Sequence, residues 1–219
     1  MAEPAIPSQN PANDGTLPGT FNTVLTKFQQ RLASQLPAIV LAYDRARNVA
    51  TVRPMVPMLT TEGQAVQRAT VAEVPVLALA GGGYVLSFPV KAGDLGWIEA
   101  SDRDISLFMQ HMSEAAPNTL RLHSFEDSRF VPDAFRSYTI QGEDADRVVL
   151  QALDGSTRVA LGPGIVKITA PSGVEIVTPL AKFSADVEVA GDVVASGISL
   201  VNHPHGGVQP GSGNSGPPQ

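Results

Sequence analysis

The sequence predicts a mainly β protein with one N-terminal helix. Gly 20 and Pro 18 in 219 residues, with aromatic residues at only 5%, are typical of many short strands and turns rather than packed helices. Beyond about residue 35, short runs of β-branched residues alternate with Gly, Pro and polar residues, which is the pattern of strands joined by turns. From Arg147 onward these runs become shorter and more regular, which divides the β region into two parts.

Charge and composition exclude several classes of protein. Lys+Arg 15 against Asp+Glu 21 gives a formal net charge of -6 and a pI of about 5.1, which disfavours nucleic acid as a partner because such binding needs clustered cations. The absence of Cys excludes disulfides and thiol catalysis. The first residues have neither a basic region nor an apolar core, so we expect no signal peptide. No apolar run reaches the length of about 18 residues that a transmembrane helix needs.

Residues 1–36 are predicted to form an arm and one helix. Residues 1 to about 20 are rich in Pro, Asn, Gly and Thr and lack periodicity, so they predict a flexible arm. From Thr20 to Gln35 the apolar residues recur at helical spacing, with Thr20 or Asn22 as the cap and Pro37 as the stop. The apolar positions are Phe21, Val24, Leu25, Phe28 and Leu32.

Residues 37–142 are predicted to form a small barrel. The polar segment Arg45–Asn48 lies between two β-prone runs and indicates a hairpin. Dense strands broken by Gly and Pro favour a Greek-key barrel of the OB-fold kind. The few aromatic and basic residues argue against an OB-fold that binds single-stranded nucleic acid. The predicted strands are 38–44, 49–56, 72–80, 83–88, 94–100 and 137–141.

Two polar groups in the barrel region could carry chemistry. Asp102 and Asp104 could act as an acid pair, but a solvated turn at 101–104 is the favoured interpretation. His123, Ser124 and Asp127 contain the residue types of a catalytic triad.

Neither group predicts an enzyme. Adjacent residues of an extended chain point apart, and the sequence has no G-x-S-x-G nucleophile turn. We therefore expect residues 114–133 to be a packed connector that leads the chain out of the barrel, and the protein to be no enzyme.

Residues 143–202 have the pattern of a repetitive β shaft. Gly155, Gly164 and Gly173 are nine residues apart, which is typical of a β-solenoid or fibrous array. The predicted strands are 148–150, 158–161, 165–168, 174–177, 187–189 and 198–200.

A single copy of this shaft could not bury its own apolar residues. Strands of four or five residues that alternate apolar and polar positions leave one face exposed and their edges open. We infer an intertwined homotrimer, a triple-stranded β-helix, with Arg158, Lys167, Glu175 and Glu188 outside. The alternative is a third sheet packed on the barrel of the same chain. The predicted shared core is Val159, Leu161, Val166, Ile168, Val174, Ile176, Val187, Val189, Ile198 and Leu200.

Residues 203–219 contain a candidate metal-binding tip. His203 and His205 point to the same side of an extended chain, and Pro204 between them disfavours a helix. Three copies supply six imidazole nitrogens, a set that favours iron over zinc, while other ions remain open. Such a metal has no open coordination position and is structural. The alternative is that both histidines are ordinary surface residues.

The sequence resembles the central baseplate spikes of contractile-tailed bacteriophages. The resemblance rests on four segments in order, and it covers most of the chain beyond residue 35: Pro89–Gly96, Ser101–Asp104, His123–Pro132 and His203-x-His205-Gly206-Gly207.

This resemblance implies a function. Members of the family have an OB-fold followed by a trimeric β-helix, and their tip histidines, which match His203 and His205, bind one iron ion on the threefold axis. It implies a virion protein at the tip of the tail baseplate that docks on the tail hub. Contraction drives it through the bacterial outer membrane without hydrolysis. The tip protein of a contractile secretion system or a tailocin is the alternative.

Overall fold

An amphipathic helix, α1 (Leu17–Arg31), begins just after the first described residue. The structure is a computed structural model that describes residues 15–60, 63–203 and 211. Thr16 caps the helix, because its side-chain oxygen accepts a hydrogen bond of 3.2 Å from the Gly19 N–H. Pro18 lies in the first turn, where its missing N–H has no intrahelical partner to lose. The predicted arm, residues 1 to about 20, lies outside the described residues as far as residue 14, and the prediction is wrong for residues 17–20, which belong to α1.

The predicted helix is confirmed, but its predicted ends are wrong. Thr20 and Asn22 lie inside α1, because Thr16 with Pro18 supplies an earlier start. The helix ends at Arg31, where Leu32 turns to extended backbone at φ −69 and ψ 118. Pro37 therefore does not stop the helix; it lies in the first strand.

Fourteen strands follow α1 in the described chain. A second helix, α2 (Ser106–His111), and a 3₁₀ turn at Gly142–Asp144 interrupt them. The strands are β1 (Gln35–Asp44), β2 (Val49–Pro54), β3 (Met58–Leu59), β4 (Ala65–Val66), β5 (Val71–Pro75), β6 (Leu79–Gly81), β7 (Tyr84–Leu86), β8 (Leu95–Arg103), β9 (Leu122–Pro132), β10 (Val148–Gln151), β11 (Arg158–Gly162), β12 (Ile165–Thr169), β13 (Val194–Ala195) and β14 (Ile198–Ser199).

Five strands form a nearly closed, OB-like barrel in the order β5-β2-β1-β8-β9. A parallel bridge between Val76 and Phe130 joins the two edges, and the Leu77 N–H donates to the Phe130 carbonyl at 2.8 Å. Closing the edges in this way satisfies backbone groups that an open sheet would leave unpaired. The core inside the barrel is Ala38, Val40, Ala50, Val52, Val74, Val76, Val90, Ile98 and Phe130.

The segment predicted to be a connector contains the closing strand of this barrel. Residues 122–132 form β9, so the prediction of a connector at 114–133 is wrong for most of its length. Three residues, Phe125, Glu126 and Asp127, are inserted between the pairs Ala100↔Ser128 and Ser101↔Ser124. This bulge disrupts the alternation of apolar and polar residues, and the strand pattern is therefore hidden in the sequence.

Two other local predictions in the barrel region are wrong. Residues 101–103 do not form a turn but complete β8. Residues 137–141 form no strand; they lie against the next sheet, where the Thr139 N–H donates to the Leu153 carbonyl at 2.8 Å.

The chain divides into two units, residues 1–171 and 172–219. In the first unit, β10, β11 and β12 form an antiparallel meander, with Gly155 and Gly164 in the turns at φ 71 and φ 73. A left-handed backbone favours glycine, so two of the three regularly spaced glycines are confirmed as turn positions.

In the second unit, β13 and β14 form a hairpin whose turn, Ser196–Gly197, has positive φ at both residues. The predicted strands at 174–177 and 187–189 are not strands in the single chain. Neither described helix is long and apolar enough to cross a membrane.

Gly96 provides a test of the barrel core. A Cβ at this position would collide with the Val131 carbonyl and the Phe130 ring. We predict that Gly96→Ala lowers the free energy of unfolding of the barrel by about 1–3 kcal/mol, because the closed barrel cannot relax around the added methyl group. Urea denaturation, monitored by the fluorescence of Trp97, measures this change in the free energy of unfolding.

Gly81→Ala is the matched control. A Cβ at Gly81 meets nothing within 4 Å, and the expected change is within about 0.5 kcal/mol. Equal unfolding midpoints for the two variants would contradict the packing at Gly96.

Candidate assembly face and metal centre

One face of the β10–β12 meander is apolar and exposed. The strand register places Val148 opposite Leu161 and Leu161 opposite Val166. Alternate side chains of neighbouring strands share a face. Val148 is 72% exposed and Val166 is 62% exposed. We call this surface the assembly face, and it consists of Val148, Leu150, Val159, Leu161, Val166 and Ile168.

The opposite face of the meander is held by a buried arginine. Arg158 Nε donates to Asp144 Oδ2 at 2.6 Å, and Arg158 Nη1 donates to the Gly155 carbonyl at 2.9 Å. Its Nη2 also donates to Glu143. Arg158 was predicted to lie outside the shared apolar core, and it does lie on the face opposite the assembly face. It is buried there, because the fully buried Asp144 provides the partner that makes its burial possible.

Two more cations complete this ion-pair cluster. Arg147 Nη1 donates to Asp144 Oδ1 at 3.2 Å, and Lys167 Nζ lies 2.8 Å from Glu143 Oε1. The hydrogen bond from Arg158 is the largest cause that lowers the pKa of Asp144. The cluster joins the Gly142–Asp144 turn to this side of the meander, and the assembly face is left pointing away from it.

The described part of the second unit buries little of its apolar surface. Residues 172–198 are exposed throughout, apolar and polar alike. The single chain therefore gives Val174, Ile176, Val187 and Val189 no core.

The β13–β14 hairpin positions His203. The Val201 N–H donates to Asp192 Oδ1 at 3.1 Å, and the Asn202 N–H donates to Ser199 Oγ at 2.8 Å. Hydrogen bonding from Ser199, followed by backbone N–H groups, lowers the pKa of Asp192. These contacts fix the chain directly before His203.

His203 has the donor chemistry of a metal ligand. Its Nδ1 lies 2.7 Å from the Ser199 carbonyl oxygen. A carbonyl oxygen only accepts, so Nδ1 carries a proton in this contact, and in the neutral imidazole the lone pair is then on Nε2. Metal-binding histidines are commonly oriented by such a hydrogen bond from the other ring nitrogen.

The remaining ligands of the predicted site are not placed. His205 lies outside the described residues. Among residues 15–60, 63–203 and 211, no group of three or more His, Cys, Asp or Glu side chains could hold a metal ion. The iron site formed by His203 and His205 therefore stays a prediction.

The acidic pair of the barrel is split by the structure. Asp102 is 89% exposed, whereas Asp104 is buried, so the predicted solvated turn is wrong for Asp104. Asp104 accepts hydrogen bonds from the Ser106 N–H at 2.9 Å and from Thr119 Oγ1 at 2.6 Å. These bonds, first those of Ser106 and then that of Thr119, hold the pKa of Asp104 well below its usual range. Asp104 thus holds the segment that enters α2.

The triad residue types have separate partners. Asp127 accepts from Arg121 at 2.9 Å and from the Ile105 N–H at 3.2 Å. His123 Nδ1 lies 3.8 Å from Asp102, and Ser124 Oγ accepts from the Glu126 N–H at 3.3 Å. The geometry is that of a structural network around the bulge in β9.

Sequence reasoning missed the ion-pair cluster around Asp144. The available signal was Arg158, which begins an apolar strand at a position that alternates with the buried Ala160. An arginine on the inward side of a strand needs a carboxylate partner, and Glu143-Asp144 precedes the first strand of the same sheet.

Two protein-family profiles match the chain. The profile described as the phage protein Gp138 N-terminal domain matches residues 36–133, which contain the barrel. The profile described as the GpV apex motif matches residues 197–219, which contain His203 and His205. No curated protein matches the chain significantly.

The barrel and the apex motif together define the class. In this order along one chain, the two matches indicate a phage baseplate spike protein, and the family resemblance inferred from the sequence is confirmed. Such domains imply a location in the tail of the virion.

Asp144 gives a prediction for the pH dependence of stability. Because its folded-state pKa is lowered, the carboxylate stabilises the fold above its unfolded pKa of about 3.9, and this contribution is lost as the pH falls through the folded pKa. We predict that Asp144→Asn lowers the urea concentration at the midpoint of unfolding at about pH 7. The difference between the midpoints of the variant and the wild type should become smaller at about pH 3.

Asp146→Asn, an exposed change in the same segment, is the control and should follow the wild type at both pH values. A gap for Asp144→Asn that is constant with pH would contradict the role given to the ionised carboxylate.

Proposed function

We propose that the protein is the central spike of a phage baseplate, which acts as an intertwined homotrimer that pierces the host outer membrane when the tail contracts. The observation that carries this proposal is the assembly face, a continuous apolar surface on a sheet too short to be stable alone. The barrel end docks on the tail hub, and residues 203–219 form the opposite end, which enters the membrane first. The function is mechanical and requires no enzymatic step.

The assembly face supports trimerisation. Fully burying one exposed Val, Leu or Ile side chain contributes about 1.5–3 kcal/mol. Five of the six side chains of the assembly face are exposed in each chain, and Val159 is half-buried. Wrapping three copies around one axis buries these faces against one another and also pairs the open strand edges. Packing on the barrel of the same chain is disfavoured, since the ion-pair cluster occupies the other side of the meander and the assembly face remains exposed.

An intertwined shaft suits a piercing function. Each chain in such a shaft pairs with both others, so one chain cannot unfold without breaking contacts to its neighbours. The residues from 172 to 198 bury nothing in the single chain and gain their core only in the trimer. A shaft built in this way resists buckling under the force that the contracting sheath supplies.

His203 and His205 of three chains would hold one iron ion at the tip. The Ser199 carbonyl supports this for His203, because it sets the tautomer that a ligand needs. A metal bound by six imidazoles supplies a crosslink between three chains and has no position for substrate. The crosslink would prevent fraying at the narrow end, where the least apolar surface is available.

Ile168→Asp tests the assembly face. Burying a carboxylate in a shared apolar core costs several times more free energy than burying one apolar side chain there contributes. The three copies of the variant would bury three such carboxylates. We predict that the molar mass falls from three chains to one, a threefold decrease in light scattering, while the Trp97 fluorescence of the barrel is unchanged.

Lys167→Gln, on the opposite face of the same strand, is the control and should remain trimeric. A trimeric Ile168→Asp variant would show that this face is not the interface.

The paired variant His203→Ala/His205→Ala tests the metal centre. We predict a trimer whose iron content falls from about one third of an ion per chain to none, since all six ligands of the site are removed. Metal content by plasma mass spectrometry on protein without a His tag provides the measurement.

His111→Ala/His123→Ala removes the same number of histidines elsewhere and should retain the iron. Iron that persists in His203→Ala/His205→Ala would contradict the site but not the trimer.

A further inference from the structure

Helix α1 presents an apolar stripe that the described chain does not cover. Its members are between 71% exposed, at Leu17, and 56% exposed, at Phe28. The stripe consists of Leu17, Phe21, Val24 and Phe28, with Leu25 beside it.

The spacing of the stripe identifies the kind of surface that it fits. Successive members are four, three and four residues apart, which is the a/d spacing of a coiled coil. Phe21 and Phe28 occupy a positions, and Leu17 and Val24 occupy d positions. A helix that packs on a barrel would instead bury its stripe against that barrel, and this stripe is exposed.

The charges of α1 leave its stripe almost entirely apolar. The helix contains no acidic residue, and its two cations, Lys27 and Arg31, lie in its second half. The stripe, which would form the seam of a coiled coil, is uncharged up to Arg31, the last helical residue. The long side chain of Arg31 can place its charge away from the axis of such a coiled coil. Recognition therefore rests on apolar packing in heptad register, which an identical helix provides.

The chain directly after α1 is fixed to the barrel. The Ala33 N–H donates to the His123 carbonyl at 2.9 Å, and the Ala100 N–H donates to the Ser34 carbonyl at 2.7 Å. Only Leu32 separates these anchors from the last helical residue. Three barrels related by a threefold axis would thus release three helices that are parallel and in register.

We propose that α1 is a second trimerisation element, in which the helices of three copies form a short parallel coiled coil. This inference rests on the trimer proposed above. A helix of 15 residues is marginal alone, so the bundle depends on the high local concentration that the shared shaft creates. The three chains of the spike are then held together by α1 as well as by the assembly face.

The absence of cysteine allows a direct test on the full-length protein. Val24→Cys places one thiol in the seam, and Thr26→Cys places one on the opposite side of α1. After oxidation with copper–phenanthroline, chains are separated on a denaturing, non-reducing gel. We expect Val24→Cys to form crosslinked dimers on the order of tenfold faster than Thr26→Cys, because the seam holds its thiols at high effective concentration.

Light scattering on the same two variants separates failure of this inference from failure of the trimer. A trimeric mass with equally slow crosslinking of both variants would overturn the coiled coil and leave the assembly face intact; this is also the result if the seam binds another tail protein. A monomeric mass of both variants would overturn the trimer and, with it, the coiled coil.

Discussion

The organisation of this protein depends on one constraint, which is that the meander β10–β12 has an apolar face that the described residues of its own chain do not bury. The ion-pair cluster holds the other side of the sheet, where Arg158 reaches the buried Asp144 at 2.6 Å. Turning the assembly face inward would require this buried cluster to break and would leave charges without partners, which is strongly unfavourable. The fold therefore directs its apolar surface outward, where the described residues leave it exposed.

The barrel is under no such constraint. Its sheet closes on itself through Val76 and Phe130, and Ile98, Val40 and Val52 fill the interior. A nearly closed barrel satisfies its own edges and buries its own core within about a hundred residues. The matched domain thus contains its own buried core, whereas residues 172–198 are exposed in the single chain.

The sequence predicted the features that depend on local patterns. The amphipathic helix, the mainly β fold, the OB-like barrel and the glycine turns at Gly155 and Gly164 follow from periodicity and turn chemistry. It failed where tertiary contacts override the pattern. The bulge at Phe125–Asp127 hides β9, and the ion pair with Asp144 buries Arg158 at a position that looked exposed. The iron site at His203 and His205 stays a prediction, because its ligands would come from neighbouring chains, which no pattern within one sequence specifies.

The central claim is that the assembly face is an interface between copies, and absolute molar mass tests it most directly. The untagged wild-type protein should scatter light as three times the chain mass of 22.9 kDa and should keep that mass on dilution, because an intertwined trimer cannot separate without unfolding its shaft. A folded protein with the mass of a single chain, stable in solution with its assembly face exposed, would contradict the account.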